Sequence, residues 1–314
     1  MFSITKEDFF GTEKIKLNNL ATREYLSFVP RFGGNLNELS LAKNGQIHHL
    51  LLNNEPIESE PGKNANHYNG AKLSPFPNRI KNGNYAFEEK EYQLKINKAP
   101  NAMHGLCWNL PFTIKEQNAS ESKAFVILQT NYNAISPGYP FTYHIEIEYV
   151  LDKKGFTCTT SIANTDKASI PIGDGWHPYF VTGSKADTIK LQLPQNKQME
   201  LKDAIPTGKY IRENLFTSPT LLNDTKLDDC FELSRTEGMV ETKLIDEQKN
   251  TTIIIWQKTG KRGYNFLQVY IPADRNSIAV EPMSCAPDAF NNKNGLIVLS
   301  PSDTAMFTFG VRLE

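Results

Sequence analysis

Several things are scarce in this chain, and each scarcity removes a class of protein. Cysteine occurs four times in 314 residues, at Cys107, Cys158, Cys230 and Cys285. The four are widely spaced and form no Cys-x-x-Cys pair, so neither a zinc knuckle nor a disulfide scaffold is expected, and a reducing cytoplasm fits best. Excess charge of one sign is also missing: 34 basic and 35 acidic side chains leave a formal net charge of -1. Lys and Arg gather into no stripe, which argues against nucleic acid as a partner. Long apolar runs are absent too. Phe125-Val126-Ile127-Leu128 and Ile253-Ile254-Ile255-Trp256 fall far short of the roughly 20 residues that cross a bilayer, so no membrane association is expected. The first residues mix acids and lysines where a secretory segment needs an unbroken apolar stretch, and no signal peptide is expected. Finally, no apolar stripe of period 3.6 is sustained anywhere, which leaves little room for long helices.

What the chain does contain is apolar content for a large core, 39% of residues against 22% charged, arranged with the period of strands. Apolar and polar residues alternate for ten positions from Phe141 to Val150, the mark of a half-buried strand. Similar short segments run from Gly155 to Ile162, Thr188 to Leu193, Thr251 to Trp256, Tyr264 to Ile271 and Ser277 to Glu281, separated by Gly, Pro, Asn and Asp. Asn82-Gly83 predicts a tight hairpin turn between flanking strands. The chain is therefore expected to be all-β, with residues 1–314 forming a single large antiparallel β-sandwich. Residues 194–225, where Pro, Asn, Lys and Asp break the pattern, would mark either a domain boundary or a long surface insertion.

Candidate chemistry rests first on six histidines, because imidazole transfers protons near neutral pH. His144 lies on the polar face of its strand and reads as a solvated or hydrogen-bonded residue. His48, His49 and His67 sit among polar residues without metal-ligand spacing and read as surface loop. His177 differs. It lies in Pro171-Ile-Gly-Asp-Gly-Trp-His-Pro-Tyr-Phe180, where Pro178 favours an extended backbone and Trp176, Tyr179 and Phe180 offer flat faces suited to stacking on pyranose rings. A buried structural turn is the plain alternative. In Ser74-Pro-Phe-Pro-Asn-Arg-Ile80 two prolines stiffen a loop delivering Asn78 and Arg79, and His104 precedes Gly105, where a ligand can approach closely. Taken singly, these read as a loop salt bridge and a turn. Among carboxylates, Asp228 and Asp229 lie in Leu227-Asp-Asp-Cys-Phe231. Glu281 closes an apolar strand before Pro282 and is expected at the strand end, placed either as a base or as a rim carboxylate.

Taken in order, these segments resemble the aldose 1-epimerase (galactose mutarotase) family from about Ser74 to the C-terminus. Asn78-Arg79-Ile80, His104-Gly105, His177-Pro178-Tyr179-Phe180, Asp228, Gln268 of the Gln-x-Tyr strand, and Glu281 match its motifs. The resemblance implies a galactose mutarotase-like supersandwich holding a hexose. Glu281 would take the anomeric hydroxyl proton while His177 protonates the ring oxygen. Asn78, Arg79, His104, Asp228 and Gln268 would hold and orient the sugar. No metal or other cofactor is implied, and a monomer or weak homodimer is expected. The family's Gly-Arg ahead of Asn-Arg is Ser74-Pro75-Phe76-Pro77 here, and Trp176 replaces a common Asn, which bears on sugar choice. Slippage by one residue would put Asp229 in place of Asp228. Alternatives are a hexose 6-phosphate epimerase, with Lys81 and Arg262 as further cations, a non-catalytic carbohydrate-binding protein, or a glycoside hydrolase using Asp228 and Glu281.

Overall fold

The computed structural model describes residues 1–52 and 68–314, so His67 lies outside the described residues. The architecture is all-β, built around large antiparallel sheets. An N-terminal meander runs Phe2–Phe9, Thr12–Asn19, Tyr25–Val29, Asn35–Lys43 and Gln46–His49. A nine-stranded sheet follows in the spatial order Thr113–Ala119, Lys123–Asn133, Thr142–Asp152, Gly155–Asn164, Thr304–Leu313, Thr251–Thr259, Gly238–Asp246, Lys190–Gln192 and Thr220–Leu221. A six-stranded sheet is ordered Tyr179–Phe180, Ile278–Met283, Phe266–Tyr270, Asp228–Leu233, Asn196–Lys202 and Ile205–Glu213.

The alternation that announced the Thr142–Asp152 strand determines its packing. Tyr143, Ile145, Ile147, Tyr149 and Leu151 are all fully buried, and each side chain of this size contributes about 1.5–3 kcal/mol on leaving water. The other face is polar, where His144 contacts the Asn131 Oδ1 at 2.8 Å and the Glu146 Oε1 at 3.0 Å. Aromatic rings join the layers: Trp176 lies 6.0 Å from Tyr149 and 6.1 Å from Phe309, and Tyr264 lies 5.5 Å from Phe307, between ring centroids.

Three expectations need correction. Asn82 and Gly83 do take left-handed backbone (φ +53° and +71°), but the flanking strands diverge. Arg79–Ile80 pairs with Ala102–Met103, and Asn84–Phe87 turns at Glu88-Glu89 to pair with Lys90–Gln93. The dipeptide fixes a local bend, whereas long-range pairing selects the partner. His48 and His49 belong to the Gln46–His49 strand, where His49 Nδ1 meets Ser40 Oγ at 2.8 Å. Residues 194–225 also carry strands. Asn196–Lys202 and Ile205–Glu213 form a hairpin extending the six-stranded sheet, and Thr220–Leu221 joins the nine-stranded one. Ile205–Glu213 is almost wholly exposed, so it has no buried face from which alternation could be read.

Candidate active site

The register of the six-stranded sheet gathers the candidate side chains. Glu281 stands opposite Gln268, Gln268 opposite Cys230, and Tyr179 opposite Ala279. The residues preceding Tyr179 continue along the same edge, with Gly175 opposite Met283. Successive side chains alternate between faces. His177, Tyr179, Glu281, Gln268, Tyr270 and Asp228 therefore share one face. Glu281 lies within the Ile278–Met283 strand, not at its end, and is 2% exposed. The sequence places Pro282 as a stop, yet pairing continues past it because its carbonyl still accepts from Trp176 N–H at 3.2 Å.

His177 is positioned by its backbone: its N–H donates to Ala71 O at 3.1 Å and its carbonyl accepts from Gly70 N–H at 2.9 Å. Its Nε2 lies 3.3 Å from Glu281 Oε1, and its ring stacks on Tyr179 with centroids 4.8 Å apart. Burial depresses the imidazole pKa to about 4, with the Arg79 charge acting in the same direction. Burial also pushes Glu281 well above the usual carboxylate range. Nearby Asp228 adds to the rise and Arg79 opposes it. Desolvation disfavours the charged form of each group, so burial favours the protonated carboxyl at Glu281 and the neutral imidazole at His177.

A second line of polar groups runs alongside. Arg79 Nη1 donates to Asn78 Oδ1 at 3.0 Å, Asn78 Nδ2 donates to Gln268 Oε1 at 3.2 Å, and Gln268 Nε2 donates to Asp228 Oδ1 at 2.7 Å. Asp229 faces elsewhere, accepting from Gln198 Nε2 at 2.9 Å. Asn78 has a left-handed backbone (φ +54°) and its carbonyl accepts from His104 N–H at 2.7 Å, which ties the two loops together. Gly105 follows at φ +70°, and a Cβ there would stand 2.4 Å from Ser74 O, a conformation and a closeness that glycine alone accommodates. The His104 ring lies 5.1 Å from that of His177 and 4.6 Å from that of Tyr68, whose hydroxyl accepts from Asn97 Nδ2 at 2.9 Å.

Among the described residues, three buried polar atoms of this cluster have no partner: His177 Nδ1, His104 Nδ1 and Glu281 Oε2. Buried polar groups are nearly always hydrogen-bonded, so three such atoms in one cluster suit a ligand rich in hydroxyls. All seven sequence-selected residues, Asn78, Arg79, His104, His177, Asp228, Gln268 and Glu281, take part in this cluster. Trp176 does not. It is fully buried on the opposite face against Tyr149, Phe309 and Lys72, and Phe180 is buried as well. Period-two alternation sends Trp176 away from His177, so neither it nor Phe180 presents a free face to a sugar. Arg262 is engaged with Asp303 at 2.9 Å and with Thr304 O at 2.7 Å. Reasoning from sequence overlooked Tyr68 and Tyr270. The latter was within reach, two residues beyond Gln268 on the same strand face; Tyr68 carries no local signal.

The all-β architecture with its large antiparallel sheets defines a class, that of galactose mutarotase-like folds. The aldose 1-epimerase family model matches residues 15–311, and the chain belongs to that family. Among curated proteins it is 28% identical over 303 residues to YihR of Escherichia coli (strain K12), described as uncharacterized, covering 93% of this chain and 92% of that one. A galactose mutarotase-like protein from Clostridium acetobutylicum superposes with a TM-score of 0.85 at 20% identity, covering 100% of this chain and 98% of its own. Galactose 1-epimerase from Lactobacillus acidophilus gives 0.76 at 16% identity, covering 100% and 98%. These structural likenesses establish the fold. Among the described residues no helix is long and apolar enough to cross a membrane.

Proposed function

We propose that this protein is an aldose 1-epimerase interconverting the α and β anomers of a free hexose by acid–base ring opening and reclosure, with residues 1–314 acting as one domain. Glu281 removes the anomeric hydroxyl proton while His177 protonates the ring oxygen, breaking the bond from C1 to the ring oxygen. The sugar is then an open aldehyde. Rotation about C1–C2 and reclosure with the proton roles reversed give the other anomer. The observation that carries the reading is the 3.3 Å approach of His177 Nε2 to Glu281 Oε1, beside three buried polar atoms that have no partner among the described residues.

The pair shares one proton. Ring opening leaves Glu281 protonated and His177 neutral, the combination that burial favours for both, so desolvation stabilises the open-chain stage. Before opening, the proton crosses the short gap to His177, where the Glu281 carboxylate attracts the imidazolium. Positioned proton transfers typically supply about 10²–10⁴-fold. Asn78, Arg79, His104, Asp228 and Gln268 hold the ring in the productive pose.

NMR saturation transfer between anomers tests this, using glucose, galactose and their 6-phosphates with purified protein. Enhanced exchange of at least one free aldose is expected. Exchange enhanced only for phosphates would overturn the substrate reading, and no enhancement on any common aldose would leave a carbohydrate-binding protein.

A further inference from the structure

Behind the His177 face lies a buried charged cluster that the proton transfers do not touch. Lys72 and Asp174 form an ion pair with both side chains fully buried. Tyr264 Oη donates to Asp174 Oδ2 at 2.7 Å, and Lys72 Nζ sits 4.6 Å from the centroid of the Trp176 ring. Asp174 is also clamped through its backbone: its N–H donates to Ser284 Oγ and its carbonyl accepts from Ser284 N–H, both at 2.8 Å. Isolated charges are costly to bury. Replacing such a pair with apolar groups is often neutral or stabilising, so stability alone is a weak account of its presence.

Its connectivity is specific. Lys72 lies opposite Trp176 in the short ladder made by the segment leading to Asn78 and Arg79. Asp174 lies three residues before His177, Tyr264 just before the strand of Gln268, and Ser284 just after the strand of Glu281. Four segments, each bearing a candidate site residue, thus meet at Asp174, two of them at its carboxylate and that of Ser284 at its backbone. Asp174 and Trp176 point inward while His177 points to the opposite face, toward Glu281, so lateral movement of Asp174 carries His177 with it.

We propose that the Lys72–Asp174 pair, completed by Tyr264, is a positioning device that fixes the separation of His177 from Glu281. This rests on the epimerase reading for its consequence in rate. A misplacement of about 1 Å can cost on the order of 10²-fold in rate. The double variant Lys72→Met/Asp174→Asn removes both charges while keeping shape and leaves no unpaired buried ion. Tyr264→Phe removes one hydroxyl from a ring that stays packed against Phe307 and Phe309.

The double variant is expected to fold and to lose about tenfold or more in kcat with KM within about threefold of wild type. Tyr264→Phe is expected to lose about threefold, on the scale of one neutral hydrogen bond. In both, the His177 imidazole resonances should shift while those of His144 and His49 stay in place. Wild-type kcat together with unshifted His177 resonances overturns the proposal, and Tyr264→Phe decides it if the double variant does not fold. If wild-type protein exchanges no aldose anomers, the epimerase reading fails, while the His177 resonances still decide whether the pair positions the ring.

Discussion

Replacing Glu281 by glutamine is the sharpest perturbation of the proposed chemistry. The amide has nearly the carboxylate's shape, and its site is 2% exposed, so packing is preserved while the proton acceptor is lost. The neighbouring imidazole, 3.3 Å away, still meets a polar atom. Burial already disfavours the carboxylate's charge, so a neutral amide should not lower stability. The rate loss is then that of one positioned proton transfer, about 10²–10⁴-fold in kcat, or about 2.7–5.4 kcal/mol in the barrier. Because the proposed function assigns the hold on the sugar chiefly to the hydrogen-bonded chain from Arg79 to Asp228, KM should move by less than about threefold. Saturation-transfer NMR at a series of sugar concentrations separates the two parameters, and thermal unfolding checks the fold. A folded Glu281→Gln protein with kcat within threefold of wild type would refute the assignment of Glu281 as base.

Other outcomes follow from the same geometry. The His177 pKa falls from 6.5 to about 4 on folding, so the stability it contributes is complete above pH 6.5 and is lost as pH falls toward and below 4, reaching about 3 kcal/mol. Urea midpoints measured from pH 7 to pH 4 should decline less steeply in His177→Asn, and an unchanged slope would sink this account of burial. Asp228→Ala removes the acceptor of Gln268 and should lower kcat/KM by about 10-fold or more, given 1.5–3 kcal/mol for a hydrogen bond to a charged group. Asp229→Ala, acting on Gln198, should leave it within about threefold; the reverse ranking would assign the sugar to Asp229. Gly105→Ala forces a side chain into left-handed backbone, costing about 1–2 kcal/mol, and drives Cβ against Ser74 O. Its thermal midpoint should fall by several degrees, and an unchanged midpoint would mean that the loop relaxes freely.

The pairing of tyrosines with the site illustrates a limit of local reading. Tyr270 shares a strand face with Gln268 and lies 6.3 Å from Tyr179 between ring centroids, an arrangement implicit in strand period but invisible until the two strands are known to be near neighbours. Tyr68 reaches His104 only because the segment from Gly70 to Leu73 pairs with Gly175 and His177.

What the sequence determined by itself is what depends on neighbours along the chain. Alternation from Phe141 to Val150 dictated a strand buried on one face, because side-chain direction in a strand repeats every two residues whatever its partners. Motif order likewise singled out seven residues that the fold brings together. The tertiary structure decided what depends on distant partners. It set Glu281 inside a strand instead of at its end, turned Trp176 into the core, joined Asp228 and not Asp229 to Gln268, and separated Asn82-Gly83 from the hairpin it seemed to announce. Each of these follows from register, and register is fixed by contacts between segments far apart in sequence. The buried meeting of Lys72 with Asp174, 102 residues apart, is the extreme case: nothing near either residue announces the other, and only the folded sheets bring the two charges face to face.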